Sequence, residues 1–424
     1  MKLAVIGGGW SGLAAAVRAT EAGHQVSVFE MAPQWGGRAR EVQVNGLALD
    51  NGQHILIGAY TRTLDLMQTV GADAHSGLLR LPLVLRYPDG RGLRMPRGPA
   101  WLVFGLGVLK AQGWTWRDKL GLLRAALGWA LSGFRCAPAA TVDQLCADVP
   151  SNVRQLMIDP LCVAALNTPA SDASGEVFLR VLRDALFSGA GSADLLLPRQ
   201  TLSQLLPTPA SAWLAKHGAA LHLGSRVDVL QRQGSRWQVQ GETFDAVVLA
   251  CSASEAARLA APHNATWAAH AGAFDYEPII TVYIRSEGTR LPQPMTALLE
   301  GPEAPAQFVF DHGWLSEAAG VFAFVVSGAR PWVDAGLEAT GHQVVQQALR
   351  AFPAGTWVSP PSLLRVLAEK RATFRCVPRL DRPEQRIAVS LMASGDYVAG
   401  PYPATLEGAV RSGEAAVARL GAVL

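Results

Sequence analysis

The chain has 424 residues, more than a single hydrophobic core usually organises, so two domains are expected. Half of the residues are apolar, 17% are charged and the mean hydropathy is +0.18, which excludes a disordered chain and indicates an unusually apolar surface. The net charge of +3 is too small to indicate nucleic-acid binding.

The N-terminal thirty residues have the pattern of one βαβ unit. The predicted elements are a strand over 3–6, a glycine turn over 7–12, an alanine-rich helix to about residue 22 and a strand over 26–30. A helix that follows a strand so closely predicts a parallel pair of strands with the helix packed across them.

Two excursions follow this unit. Residues 81–206 are predicted to be largely helical, and a second excursion covers 262–364. Short segments of strand composition lie between them, at 221–223, 226–231, 236–240 and 246–250. The tail predicts a strand over 387–392, a glycine turn at residue 395 and a helix over 405–420.

The glycine turn carries the pattern GxGxxG between a strand and a helix. Its three glycines give a tight turn, room for a pyrophosphate to approach the backbone, and close contact of helix and strand. The helix N-terminus offers free N–H groups to phosphates, and Glu30 can accept hydrogen bonds from ribose hydroxyls. The predicted dinucleotide contacts are Gly7, Gly9, Trp10, Ser11, Gly12 and Glu30.

A second glycine pair indicates FAD rather than NAD. Gly36 and Gly37 follow Glu30 closely, and Arg38 after them can contact pyrophosphate oxygens, although a turn arginine in solvent is the alternative. In the tail, Asp396 at a strand end can bind ribityl or ribose hydroxyls, and the next helix begins where it can face a flavin. The further predicted FAD contacts are Val227, Gly395, Thr405 and Leu406.

These motifs predict an α/β fold with a Rossmann-like, glutathione-reductase-like FAD domain built from separate segments. We assign residues 1–80, 207–261 and 365–424 to that domain. Residues 81–206 and 262–364 are assigned to a discontinuous, largely helical α+β substrate domain.

The sequence resembles the flavin-containing amine oxidase and carotenoid desaturase superfamily. Within it, the segments 49–60 (LDNGQHILIGAY), 165–169 (ALNTP) and 180–186 (RVLRDAL) are similar to the hydroxysqualene dehydroxylases of bacterial hopanoid biosynthesis. The resemblance implies conversion of hydroxysqualene to squalene by reduced FAD, with an apolar triterpene as substrate and an electron donor that the sequence does not identify.

Such a reaction needs a long, dry, apolar pocket with few polar groups near the flavin. The leaving oxygen must be protonated or polarised. The catalytic candidates are Asp50, Gln53, His54 and Tyr60, with Tyr397 and Tyr402 as further candidates. We expect His54 to donate the proton, with a structural histidine as the alternative, and Asp50 either takes part or orients its loop.

Other readings of the same fold stay open. A polyene desaturase or an amine oxidase would use the same flavin-binding fold. An amine oxidase needs an aromatic cage for the amine and often a lysine near the flavin, and no such lysine is evident among the candidates. A flavin-containing carrier of a prenyl lipid is a third, non-enzymatic alternative.

The location of the protein is predicted from what the sequence lacks. Its five cysteines form no CxxC pair, so no metal site or disulfide framework is expected. No signal peptide or membrane span is visible, which predicts a cytoplasmic protein. Apolar, indole and basic residues over 101–119 fit either a surface that rests on the inner membrane face or a buried helix.

Overall fold

The computed structural model describes residues 1–421, apart from the side chains of residues 100 and 101. The strands are β1 (Lys2–Ile6), β2 (Gln25–Phe29), β3 (Glu41–Val44), β4 (Leu47–Asp50), β5 (Leu56–Ile57), β6 (Leu78–Leu81), β7 (Val84–Arg86), β8 (Gly92–Arg94), β9 (Leu195–Pro198), β10 (Ala220–His222), β11 (Gln231–Gln233), β12 (Arg236–Val239), β13 (Glu242–Phe244), β14 (Ala246–Leu249), β15 (Tyr276–Arg285), β16 (Met295–Ala297), β17 (Phe308–Asp311), β18 (Val321–Val326), β19 (Ser362–Phe374), β20 (Arg386–Ala388) and β21 (Leu391–Ala393).

The helices alternate with these strands. They are α1 (Trp10–Glu21), α2 (Thr61–Thr69), α3 (Ala74–Gly77), α4 (Ala100–Leu109), α5 (Trp116–Leu131), α6 (Val142–Leu145), α7 (Ser151–Val153), a π-helical turn (Arg154–Ile158), α8 (Asp159–Leu166), α9 (Gly175–Phe187), α10 (Leu202–Leu205), α11 (Pro207–Lys216), α12 (Ala253–Ala260), α13 (Ala265–Gly272), α14 (His312–Leu315), α15 (Arg330–Ala335), α16 (Leu337–Ala351) and α17 (Leu406–Gly421).

The glycine motif belongs to a six-stranded sheet in the order β10–β2–β1–β14–β21–β20. All neighbours are parallel except the edge hairpin of β20 and β21. Helix α1 packs against α11 and α17. The small sheet β11–β12–β13 packs against strands β14 and β1 of the six-stranded sheet. The central strands are buried on both faces, which explains why they are continuous apolar runs, and the predicted α/β fold is confirmed.

Two predicted strands are wrong. Residues 226–230 form no strand, and only Gln231–Gln233 of that region pairs, with β12. Residues 387–392 are a hairpin rather than one strand, because the chain turns at Ser390, which has a left-handed φ of +55°. The Trp237 indole N–H donates to the Ser390 hydroxyl over 2.9 Å and holds this turn.

A second sheet, in the order β16–β17–β18–β15–β19, is antiparallel throughout. Helix α16 packs on it around Phe322, Phe324 and Val344. Strand β19 pairs with β15 from residue 362 to residue 374, so the predicted domain boundary between residues 364 and 365 lies inside a strand. The pairing with β15 continues across this position, and the assignment of the two domains stays a prediction.

The predicted helical insertion over 81–206 contains α4 to α10, yet strands lie near both of its ends. β7 and β8 form a hairpin, and β9 pairs with β5 and β6. Because β5 precedes the insertion, this small sheet ties the end of the insertion back to the N-terminal part of the chain. The wider division into two domains stays a prediction.

Helices α4 and α5 carry the predicted membrane-contacting segment, in which the side chain of residue 101 lies outside the described residues. Helix α5 begins with a capping box, in which Thr115 and Asp118 bond each other's backbone N–H groups. Within residues 1–421, no helix combines the length and the apolar composition needed to span a bilayer.

Candidate active site

A cavity of about 610 Å³ lies where the carboxyl ends of β1, β2 and β14 face the second sheet. Ligands bind at this edge of open α/β sheets. The predicted site residues that line it are Gly7, Gly9, Trp10, Ser11, Glu30, Gly36, Gly37, Arg38, Gln53, His54, Tyr60, Val227, Gly395, Asp396, Tyr397, Tyr402, Thr405 and Leu406. Two others, Gly12 and Asp50, lie behind the wall rather than in it.

The glycines of the turn have different tasks. Gly7 has a φ of +113°, and a Cβ atom there would lie 2.5 Å from the Ala250 carbonyl oxygen. A Cβ at Gly12 would lie 1.9 Å from the Gly7 carbonyl oxygen, so only glycine fits at this position in the first turn of helix α1. At Gly9 the nearest atom to such a Cβ is 3.8 Å away, so a side chain would enter the cavity instead.

The Glu30 carboxylate is buried at the end of β2 and fixed by backbone donors. The Gly8 N–H donates to one oxygen over 2.7 Å and the Ala32 N–H donates to the other over 2.8 Å. Each oxygen keeps a lone pair, so the carboxylate can accept ribose hydroxyls without reorientation.

Arg38 and Asp396 are paired with each other. Their side chains meet at 2.6 Å, and Arg38 also donates to the Ala372 carbonyl oxygen over 2.6 Å. The Asp396 carboxylate raises the pKa of Arg38. Through these contacts Arg38 ties the tail and β19 to the second glycine pair. Both groups line the cavity, and their contacts with FAD stay predictions.

Helix α17 closes the site because it packs directly on α1. A Cβ at Gly413 would lie 2.3 Å from the Ser11 carbonyl oxygen, and the Ser11 and Ser394 hydroxyls are hydrogen-bonded. The Gly395 N–H donates to the Ser412 hydroxyl over 3.1 Å. The tail and the N-terminal motif therefore form one rigid wall.

Two acidic residues of α17 that the sequence analysis missed anchor this helix. Glu407 is buried and accepts the Thr63 N–H and hydroxyl, over 2.9 and 2.7 Å. Glu414 accepts from Arg18 over 2.8 Å and from Arg62 over 2.7 Å. Glu407 and Glu414 are seven residues apart, which places both on one face of the helix. This spacing could have indicated from the sequence that they act together.

The cavity wall also includes residues that the motifs do not cover, among them Met31 after β2 and Cys251 after β14. Burial raises the pKa of the Cys251 thiol to about 12, so this group is protonated and not nucleophilic. Both positions follow apolar parallel strands, and the rule that ligands bind at the carboxyl edge could have indicated them.

The His54 ring is held in one tautomer. Its Nδ1 lies 2.8 Å from the Gly52 carbonyl oxygen, which can only accept, so Nδ1 carries the proton. Burial lowers the pKa of His54 and favours the neutral ring. In that state Nε2 is an acceptor, which does not support the predicted role of proton donor and suits the binding of a hydroxyl instead.

Gln53 lines the cavity beside His54 and has an unsatisfied acceptor. Its Nε2 donates to the His54 carbonyl oxygen over 3.3 Å. Its Oε1 is buried without a hydrogen-bond partner in the described part of the chain. A buried acceptor without a partner costs about 1–3 kcal/mol, which a bound donor would recover.

Asp50 supports this loop from outside the cavity. Its carboxylate accepts the Leu202 N–H over 2.8 Å, and its carbonyl oxygen accepts the Tyr283 hydroxyl over 2.9 Å. The structure therefore favours the orienting role over direct catalysis.

Asp50 should make stability depend on pH. Burial raises its pKa to about 7, so the folded state favours the protonated form. Its stabilising contribution is complete below the unfolded pKa of about 4 and is lost as the pH rises to about 7. In the wild type, we expect the free energy of unfolding to fall by about 2–4 kcal/mol as the pH rises through this range. Asp50→Asn should remove this fall, and its amide oxygen can keep the Leu202 contact.

The measurement is urea unfolding of the wild type and of Asp50→Asn at pH 5 and pH 8. Asp381→Asn, a change at an exposed carboxylate, is the matched control. Equal pH dependence in the wild type and Asp50→Asn would show that Asp50 does not titrate in this range.

The cavity tyrosines are neutral phenols, because burial raises the pKa of Tyr60, Tyr397 and Tyr402. Tyr402 lies against the guanidinium groups of Arg180 and Arg411, each 5.3 Å from its ring centre. The Tyr397 hydroxyl is buried and has no partner among the described residues, so it can donate to a bound molecule.

The remainder of the cavity wall is largely apolar. It comes from the β7 region, from α8 and α9, and from the second sheet, and includes Leu83, Leu85, Leu161, Phe178, Val181, Leu182, Leu186, Met295, Phe308 and Phe310. No lysine lines the cavity within residues 1–421. Such a wall suits a long hydrocarbon.

The nucleotide end of the cavity fits FAD. Gly9 leaves the backbone open to a pyrophosphate, and the N-terminus of α1 points its first N–H groups at the same place. The fixed carboxylate of Glu30 suits the ribose.

Relatives support this assignment over nearly the whole chain. The hydroxysqualene dehydroxylase of Rhodopseudomonas palustris is 28% identical, with 97% of this chain and 96% of the relative covered. The hydroxysqualene dehydroxylase of Sinorhizobium fredii is 26% identical over the same shares. An oxidoreductase from Methanosarcina mazei has the same fold, with a TM-score of 0.75 and 17% identity over 99% of this chain and all of that one.

The chain is thus an FAD-dependent oxidoreductase, and the predicted resemblance to hydroxysqualene dehydroxylases is confirmed. The family model described as "Flavin containing amine oxidoreductase" matches residues 10–421. The motifs in its cavity and this match together show that the chain belongs to the family of flavin-containing amine oxidoreductases.

Proposed function

We propose that this enzyme reduces hydroxysqualene to squalene. The observation that carries the proposal is the acceptor pair of Gln53 Oε1 and His54 Nε2 in the wall of a largely apolar cavity. A substrate with one hydroxyl on a hydrocarbon frame matches this wall, since the hydroxyl supplies the missing donor and the chain meets apolar side chains. The relatives named hydroxysqualene dehydroxylase support the same choice.

The proposed reaction breaks one C–O bond and forms one C–H bond, with water as the second product. Reduced FAD, when bound, supplies the hydride, and an external two-electron donor restores it. The substrate hydroxyl donates its one proton to Gln53 Oε1, and His54 Nε2 lies in the same cavity wall as an alternative acceptor. The proton for the leaving oxygen then needs a neutral donor, and Tyr397 has a buried hydroxyl free for that task.

The competing reactions run in the opposite direction. A polyene desaturase would oxidise a hydrocarbon and would leave Gln53 Oε1 without a donor, and an amine oxidase would oxidise an amine. We would therefore offer oxidised enzyme a polyene and a panel of amines, and reduced enzyme hydroxysqualene, and identify the products by mass spectrometry. Squalene from the reduced enzyme supports the proposal, whereas oxidation of a polyene or an amine alone would replace it.

Gln53→Leu tests the acceptor itself. We expect kcat/KM for hydroxysqualene to fall roughly 10- to 100-fold, because the substrate hydroxyl loses a buried partner. FAD content should stay at the wild-type level, since Gln53 lies outside the glycine motif. Ser327→Ala, at another polar group of the cavity wall, is the matched control and should keep kcat/KM within about threefold. Equal loss in both variants would mean that Gln53 has no special role.

A further inference from the structure

Helix α5 exposes an apolar stripe. Trp116, Leu120, Leu127 and Leu131 are 68%, 61%, 61% and 80% exposed. With 3.6 residues per turn, these four positions lie within about 60° of one another on the helix surface. On neighbouring α4, Leu102 and Leu109 are each 41% exposed. A contiguous set of large exposed apolar side chains marks a surface that binds something apolar.

Beside α4 lies a cationic pocket of about 690 Å³. Arg86, Arg94, Arg97 and Lys110 line it, and none of the described residues that line it is acidic. None of the four forms an ion pair within residues 1–421, and the buried Nε of Arg86 has no hydrogen-bond partner there. Four cations without an ion-pair partner suit an anion such as a phosphate group.

A smaller space of about 280 Å³ borders both the cationic pocket and the active-site cavity. It shares Leu83, Leu186 and Ala193 with the wall of the large cavity. It shares Pro96 and Arg97 with the cationic pocket. This space therefore places the cationic pocket close to the active-site cavity.

We propose that the α4–α5 face and the cationic pocket together dock on an anionic phospholipid bilayer, with a lipid phosphate in the pocket and the leucines among the acyl chains. Charge complementarity selects this occupant, because the exposed leucines of α4 and α5 and the unpaired cations beside α4 match the acyl and phosphate layers of such a membrane. Docking there would place the space that borders the active-site cavity next to the lipid. Only the identity of the substrate rests on the proposed function.

The test uses the full-length, FAD-loaded protein in a vesicle flotation assay. We expect the protein to float with vesicles of phosphatidylglycerol and phosphatidylcholine, to stay behind with phosphatidylcholine alone, and to be released by salt. Because flotation needs neither substrate nor turnover, its failure is separable from failure of the proposed reaction. Equal binding to neutral vesicles, or no binding to either, would overturn the proposal.

Two double variants resolve the surface. Arg94→Gln with Arg97→Gln should weaken vesicle binding by about fivefold per arginine. Leu120→Gln with Leu127→Gln should weaken it roughly tenfold or more. The matched controls Arg386→Gln and Leu349→Gln change exposed residues on other elements and should bind as the wild type does. Flavin absorbance and Tm verify that each variant is folded.

Other occupants give different results. If the leucine variant abolishes a dimer in solution and the protein never floats, the face binds a second copy of the chain. If inorganic phosphate raises Tm through Arg94 and Arg97 without flotation, the pocket takes a free anion. Either result overturns membrane docking, as do double variants that float like the wild type.

Discussion

Gly9→Ala is expected to yield a folded protein without FAD. The added Cβ would lie no nearer than 3.8 Å to any atom of the described residues, so the fold should tolerate it. It would, however, occupy the place through which a pyrophosphate approaches the backbone at the start of α1. We expect the affinity for FAD to fall at least about a hundredfold.

The experiment measures flavin absorbance of the purified variant and titrates FAD into the apoprotein by calorimetry. Circular dichroism reports whether the fold remains. Gly128→Ala, in open space on α5, is the matched control and should bind FAD like the wild type. A fully loaded Gly9→Ala protein would mean that the pyrophosphate lies elsewhere.

Gly413→Val is expected to destabilise the whole chain and to empty the flavin site as a consequence. A Cβ at this position would lie 2.3 Å from the Ser11 carbonyl oxygen and 3.0 Å from the Ala15 nitrogen. These are backbone atoms, so relief requires α17 to move away from α1. Overpacking of this kind costs about 1–3 kcal/mol or more, and the shift would break the contacts of Glu407 and Glu414 as well.

Urea unfolding and FAD content would be measured together. Gly421→Ala, at the end of the same helix and with no atom of the described residues within 4 Å of its added Cβ, should leave both unchanged. Normal stability of Gly413→Val would show that α17 does not depend on its close approach to α1.

The parts of the fold that are local in sequence could be predicted from the sequence. The βαβ unit is one, because its strand, glycine turn and helix are specified by neighbouring residues. The predictions of single strands over 226–231 and 387–392 were wrong, because contacts with distant parts of the chain decide these segments. In the second segment, for example, Trp237 holds the turn at Ser390. The pairing of β9 with β5 has the same long-range origin.

The candidate site shows the same division. Its glycines and Glu30 act through backbone geometry that a short motif encodes. Arg38 and Asp396 are 358 positions apart, and no local pattern shows that they pair with each other. The neutral state of His54 was also beyond prediction, because burial and the Gly52 carbonyl oxygen set it only in the folded protein.

The most direct test of reductive dehydroxylation is an anaerobic single turnover. Enzyme with fully reduced flavin is mixed with hydroxysqualene in detergent, the flavin absorbance is followed, and the lipid extract is quantified by mass spectrometry. The account predicts one squalene formed for each flavin oxidised, with a slower flavin signal in Gln53→Leu. Flavin that stays reduced while hydroxysqualene is recovered unchanged would contradict it.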